Sequence, residues 1–224
     1  MIKQSIGVLL ICMVVLSGCS WGKDQSANTE NMDAMSEEEK SAYMKGSIID
    51  GQYKNEFFDL ELELPNAWVT LSEDEMARLM ETGEDLAADS GAMYDLTSLE
   101  ILNLLGVFKY PFDEVVVMNP NLYITAERID ESMGIDTGEA YLEQASAGIE
   151  HFNETIVFGN TMDRVNIQEK TFTRRQATID LGYMVVYQVH YVALVEGYAL
   201  SIIATYMEEE DLRVIETMLG KEEA

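Results

Sequence analysis

Few side chains in this sequence are of the types that break or form bonds. There are two cysteines, Cys12 and Cys19, and two histidines, His151 and His190. Asp136-Thr137-Gly138 is a triplet that can present one carboxylate of a proton-sharing acid pair. Such pairs follow an apolar strand, whereas here Glu131 to Ile135 come before and a helical pattern comes after, so the triplet reads as a helix start. His190 alternates with Gln188 and Val192 on an apolar strand, and His151 stands beside Phe152 at a helix end; both read as packed or surface histidines. No nucleophile-elbow serine motif, glycine-rich phosphate loop or His-Glu-x-x-His helix occurs. The sequence therefore predicts no enzyme activity, no catalytic residue, no metal site and no cofactor.

Binding chemistry has two candidates. Arg164, Lys170, Arg174 and Arg175 put four cations into twelve residues, a possible site for an anion or an anionic partner. The plain alternative is pairing with nearby carboxylates or protection of a sheet edge. Acidic runs, Glu37-Glu38-Glu39 and Glu208 to Asp211, could attract divalent cations weakly, but they lack ligands at the fixed spacing of a calcium loop and read as solvated surface. A stripe with Met76 and Met80 could line an adaptable groove, with core filling as the default.

Composition narrows the partners. Forty-one Asp and Glu against fourteen Lys and Arg give a net charge of -27, which repels nucleic acid. With 47% hydrophobic residues, the 224-residue chain has ample material for a core. Two cysteines are too few for a disulfide framework.

The N-terminus gives an address. Lys3 precedes an apolar run from Ile6 to Leu16, then Ser17-Gly18, which is a secretory signal layout. Eleven helical residues cover about 16 Å of a hydrocarbon core about 30 Å thick, too short for a permanent span. Leu16-Ser17-Gly18-Cys19 resembles the lipobox of bacterial lipoproteins, in which the cysteine receives a diacylglycerol and becomes the mature N-terminus. That resemblance implies lipidation at Cys19, including a palmitate-type acyl chain, and attachment to the extracytoplasmic face of the cell membrane. At about 0.8 kcal/mol per buried methylene, two chains hold such a protein firmly. Loss of Lys3 leaves thirteen cations against forty-one anions, a charge of -28 that anionic head groups push outward. Ser20 to Ser47 reads as a polar tether of r.m.s. reach about 30 Å, interrupted by a capping box at Ser36 that starts a short helix ending near Gly46.

The expected organisation is thus a signal peptide at 1–18, the lipidated cysteine and tether at 19–47, one domain at 48–220, and a tail at 221–224. Within the domain, Phe58 to Leu64 alternates as a strand. Ser72 caps an amphipathic helix through Met76, Leu79 and Met80. A helical stripe is read over Asp95 to Leu105, followed by strands at Glu114 to Met118 and Leu122 to Ile129. The stretch from Asp89 to Asp113 is the place to look first for a ligand cleft. Thr137 caps a helix through Leu142, Ala145 and Ile149. Strands then follow at Thr155 to Phe158, Arg164 to Glu169, Phe172 to Asp180, Met184 to Val195 and Tyr198 to Tyr206, with a hairpin turn at Glu196-Gly197 and a final helix at Glu208 to Leu219. The last two strands are apolar on both faces, which requires cover on both sides. The predicted fold is α+β, an antiparallel sheet of about six strands in an α/β/α sandwich.

Gly51-Gln52-Tyr53-Lys54-Asn55-Glu56-Phe57-Phe58, leading to Leu64-Pro65-Asn66-Ala67-Trp68, resembles the opening of domains related to the photosystem II extrinsic protein PsbP and to the Ran-binding Mog family. Gln188 and Gly197-Tyr198-Ala199-Leu200-Ser201-Ile202, followed by a C-terminal helix, resemble that family's ending. The resemblance implies a PsbP-like fold over Ile48 to Gly220, diverse binding roles and no shared catalytic residues. The expected function is a membrane-anchored, non-catalytic module that binds an envelope protein, peptide or small ligand. The alternatives are a carboxylate-dependent extracytoplasmic hydrolase and a weak divalent-cation-binding surface protein.

Overall fold

The computed structural model describes residues 35–89, 101–130, 133–152 and 155–220. In chain order the elements are α1 (Glu37–Lys45), β1 (Ser47–Ile49), β2 (Gln52–Asn55), β3 (Leu60–Glu63), β4 (Val69–Thr70), α2 (Glu73–Asp89), β5 (Ile101–Phe108) and β6 (Asn121–Arg128). Then come α3 (Gly138–Phe152), β7 (Ile156–Ile167), β8 (Lys170–Asp180), β9 (Val185–Val195), β10 (Tyr198–Tyr206) and α4 (Glu209–Met218). All pairings are antiparallel: β1-β2-β3 form a small sheet, and β4-β5-β6-β10-β9-β8-β7 form a large one.

Both faces of the large sheet are covered, as the two-sided apolar hairpin requires. Leu122, Ile124, Val189, Tyr191, Leu200 and Ile202 face a layer built from the small sheet, α1 and α4. Their one-residue neighbours face α3, where Leu142 and Ala145 pack on Val192 and Ala199, and Ile149 packs on Phe158 and Ile203. On that same side α2 places Met76 and Leu79 against Phe108 and Tyr123. This is the α/β/α sandwich, with seven strands in the large sheet where about six were expected, and with a second sheet in one outer layer.

The Tyr53-x-Asn55-x-x-Phe58 pattern has a mechanical reason. Asn55 is buried; its Nδ2 donates to Met44 O at 2.8 Å and to Tyr53 Oη at 3.0 Å, and its Oδ1 accepts from Phe58 N at 2.9 Å. Tyr53 Oη donates to Lys45 O at 2.8 Å. Together these side chains satisfy carbonyls that a helix end leaves without partners. Gly46 follows at φ +74°, where a Cβ would stand 2.6 Å from Lys54 O. Core packing therefore reaches back to Met44, ahead of Ile48. Both capping boxes form: Ser36 with Glu39, and Ser72 with Glu75.

Three sequence expectations are corrected. Leu102 and Leu105, read as a helical stripe, lie in strand β5, which is paired with β6 through a bulge between Asn103 and Leu105; residues 95–100 of that stripe lie outside the described residues. Glu114 to Met118 is not a strand: it makes a turn, with Val115 86% and Val117 67% exposed. The runs at Thr155 to Phe158 and Arg164 to Glu169 are joined in one long strand, β7, bulged between Phe158 and Met162, and Gln168 and Glu169 form the turn after it. The Glu196-Gly197 turn forms with φ of +53° and +80°, the signs a type I′ hairpin needs.

Candidate functional site

Alternation along β6 puts Thr125 and Glu127 on the face beneath α3. Register does the rest: Ser201 stands opposite Thr125, His190 opposite Ile203, and Arg175 opposite His190. Helix α3 closes over them with Tyr141, Leu142, Ala145, Ser146 and Ile149, one turn apart on its inner side. Between helix and sheet lies a cavity of about 20 Å³, with Ile101 half-buried at its lip.

Its most unusual group is Glu127, only 4% exposed. Tyr141 Oη donates to Glu127 Oε2 at 2.6 Å, while Glu127 Oε1 is buried with no hydrogen-bond partner. Burial pushes the Glu127 carboxyl up to about 7, against the opposing pull of the Tyr141 hydrogen bond. Burial, and the adjacent Glu127 charge after it, holds the Tyr141 hydroxyl well above its ordinary value. His190 is pushed down to about 3 by burial and then by the Arg175 charge, so its ring is neutral at physiological pH. Its Nε2 lies 3.1 Å from Gln188 Oε1, and Gln188 Nε2 donates to Thr205 Oγ1 at 3.2 Å, an arrangement that assigns the ring proton to Nε2. Arg175 is tied in place: Nε donates to Gly159 O at 2.9 Å, Nη1 donates to Ser146 Oγ, and the guanidinium lies 5.3 Å from the centre of the Phe158 ring.

The four cations read from the sequence do not make one patch. Arg174 and Arg175 are successive strand residues and point to opposite faces, beside Tyr191 and His190 respectively. Arg174 reaches Asp163 at 3.5 Å, and Lys170 binds Asp59 Oδ2 at 2.6 Å across to the small sheet. Arg164 is exposed on β7, opposite Thr173. Carboxylate pairing describes Lys170 and Arg174, and Arg175 is spent on the cavity wall.

Asp136 is exposed, and Thr137 Oγ1 accepts from Ala140 N at 3.1 Å, so the triplet opens α3. Its glycine lets the helix approach the sheet: a Cβ on Gly138 would stand 2.7 Å from Val192 O. His151 lies in the last turn of α3 and its side chain is outside the described residues, as is all of Cys19. Of the acidic runs, Glu39 serves the Ser36 cap, and Asp211 is buried against Lys109 Nζ at 2.6 Å. Among the described residues no group of three or more His, Cys, Asp or Glu side chains could hold a metal ion, and no helix is long and apolar enough to cross a membrane.

Sequence reasoning missed Glu127, Thr125, Ser201, Tyr141 and Ser146. The available signal was the polar pair Thr125 and Glu127, spaced by two after the apolar run Leu122 to Ile124, with Gln188 and His190 repeating that spacing on β9.

No family model matches the chain, and no curated protein matches it. Among solved structures, a crystal structure of LpqN, described as involved in cell envelope biogenesis of Mycobacterium tuberculosis, is similar at 13% identity with a TM-score of 0.41, over 72% of this chain and 79% of that one.

Proposed function

We propose that this chain is a bacterial lipoprotein, held by acyl chains on Cys19 at the extracytoplasmic face of the cell membrane, whose folded body binds an envelope protein, peptide or small ligand without catalysing a reaction. The observation that carries the reading is the order Lys3, apolar Ile6 to Leu16, Ser17-Gly18, Cys19, followed by a polar stretch and then a folded acidic body. Glu127 is the one carboxylate among the residues that line the cavity beneath α3, a space the size of a water molecule.

A carboxylate-dependent hydrolase is the second reading, favoured by the burial of Glu127 beside the cavity, which raises its proton affinity toward that of a general acid. Acid-pair chemistry needs a second carboxyl across the scissile bond. Asp136 is exposed at the start of α3 and does not line the cavity. The full chain is to be purified from membranes with its lipid and screened against ester, peptide and glycoside substrates. Absence of turnover, with loss of membrane attachment in Cys19→Ser, supports the proposal. Turnover abolished by Glu127→Gln would replace it with the hydrolase.

A further inference from the structure

A buried carboxylate oxygen with no donor is costly, because it has left water without gaining a replacement hydrogen bond. Glu127 Oε1 is such an atom. Glu127 lines a cavity of about 20 Å³ together with Thr125 and Ser201, which stand on paired positions of β6 and β10. The neighbouring polar groups are already committed. Tyr141 serves Oε2 and accepts from the Ser201 hydroxyl, whose lone pairs stay open to a donor; Ser146 accepts from Arg175, and His190 is bonded to Gln188. The remaining walls, from Ile101, Leu142, Ile149 and Ile203, offer no donor. A space of this size accommodates one water-sized molecule, which is stable inside a protein when it finds two to four polar partners.

We propose that the cavity is a binding site for one small N–H or O–H donor, a water molecule or an ammonium ion, held by Glu127 Oε1 together with the hydroxyls of Thr125 and Ser201. The two candidates share their chemistry: each donates to the carboxylate, and each fits the volume. The inference does not depend on membrane anchoring or on the identity of any larger partner. The occupant would tie β6 to β10 beneath α3 and complete the hydrogen bonding of Glu127.

The test is a pair of high-resolution crystal structures of the full chain at pH 8, one grown from ammonium-free potassium salt and one from ammonium chloride, with thermal melting in the same two salts at equal ionic strength. Expected is one rounded density peak about 2.6 to 3.2 Å from Glu127 Oε1. A peak in both crystals with equal melting midpoints assigns water. A midpoint higher by 2 °C or more in ammonium, with the peak strongest there, assigns ammonium. Thr125→Val, which keeps shape and removes one hydroxyl, should lower the occupancy of the peak. An empty cavity in both crystals, or Glu127 Oε1 bonded directly to a protein donor, would overturn the proposal.

Discussion

Tyr141 Oη sits 2.6 Å from Glu127 Oε2, a single hydrogen bond that joins helix α3 to strand β6 across the polar cavity. Because Oε1 of the same carboxyl has no protein partner, Tyr141 is the one side chain bonded to it among the described residues. Tyr141→Phe keeps the ring packing and deletes the donor. It should cost about 1–3 kcal/mol, and more at pH 8 than at pH 5, since the ionised carboxylate needs the donor more than the neutral acid does. Urea unfolding at the two pH values measures both. An equal, small loss at both would show that the bond does not hold the charged form.

The pH dependence of stability has two opposed limbs. Glu127 rises from an ordinary 4.5 to about 7 on folding, so its contribution is fully present below about pH 4.5 and is lost as pH rises to about 7. That loss is on the order of 3 kcal/mol at 1.36 kcal/mol per pH unit. Glu127→Gln should remove this limb and leave the protein comparatively more stable at pH 8 than at pH 5. His190 falls from 6.5 to about 3, so stability is lost as pH drops below about 6.5, when the unfolded chain takes up the proton that the folded ring refuses. His190→Gln should flatten that acid limb. Midpoints of urea unfolding measured from pH 4 to pH 8 read both slopes. Unchanged slopes in both variants would contradict the burial of these groups.

Gly138 is a packing residue, despite its place in an Asp-Thr-Gly triplet. A Cβ there would lie 2.7 Å from Val192 O and 3.0 Å from Thr173 Oγ1, both part of the sheet under α3. Gly138→Ala should therefore lift the helix and cost about 1–3 kcal/mol. Gly159→Ala, with its nearest contact at an ordinary 3.5 Å, is the control and should cost clearly less. Calorimetric melting separates the two.

How much of this was legible depended on whether a residue's surroundings were local. Capped helices announced themselves because Ser36 with Glu39, and Ser72 with Glu75, make their bonds within one turn. The β9–β10 hairpin was equally readable, since Glu196-Gly197 sets the turn and the apolar residues on both faces demand cover. Strand β5 was not. Residues Leu104 to Phe108 are buried one after another and a bulge at Asn103 shifts the register, so the run shows no period of two. Val115 and Val117 alternate like strand residues, but among the described residues no neighbouring strand meets them, and local sequence cannot report that. Strand periodicity within Phe172 to Asp180 could have divided Arg174 from Arg175, but their closeness in sequence grouped them as one site. Glu127 was hidden for the opposite reason: in a strand, one charged residue among apolar ones signals a wet face until a later helix, here α3, is known to lie on it.

Attachment through Cys19 is the claim on which the functional reading turns. Its most direct test is mass spectrometry of the N-terminal peptide from the full-length protein expressed in a bacterium that processes lipoproteins, compared with Cys19→Ser. The account predicts a mature chain beginning at Cys19 with a diacylglycerol on its sulfur, and a variant that stays unprocessed or appears in the soluble fraction. A mature N-terminus at any other residue, or an unmodified thiol at Cys19 in membrane-attached protein, would contradict it.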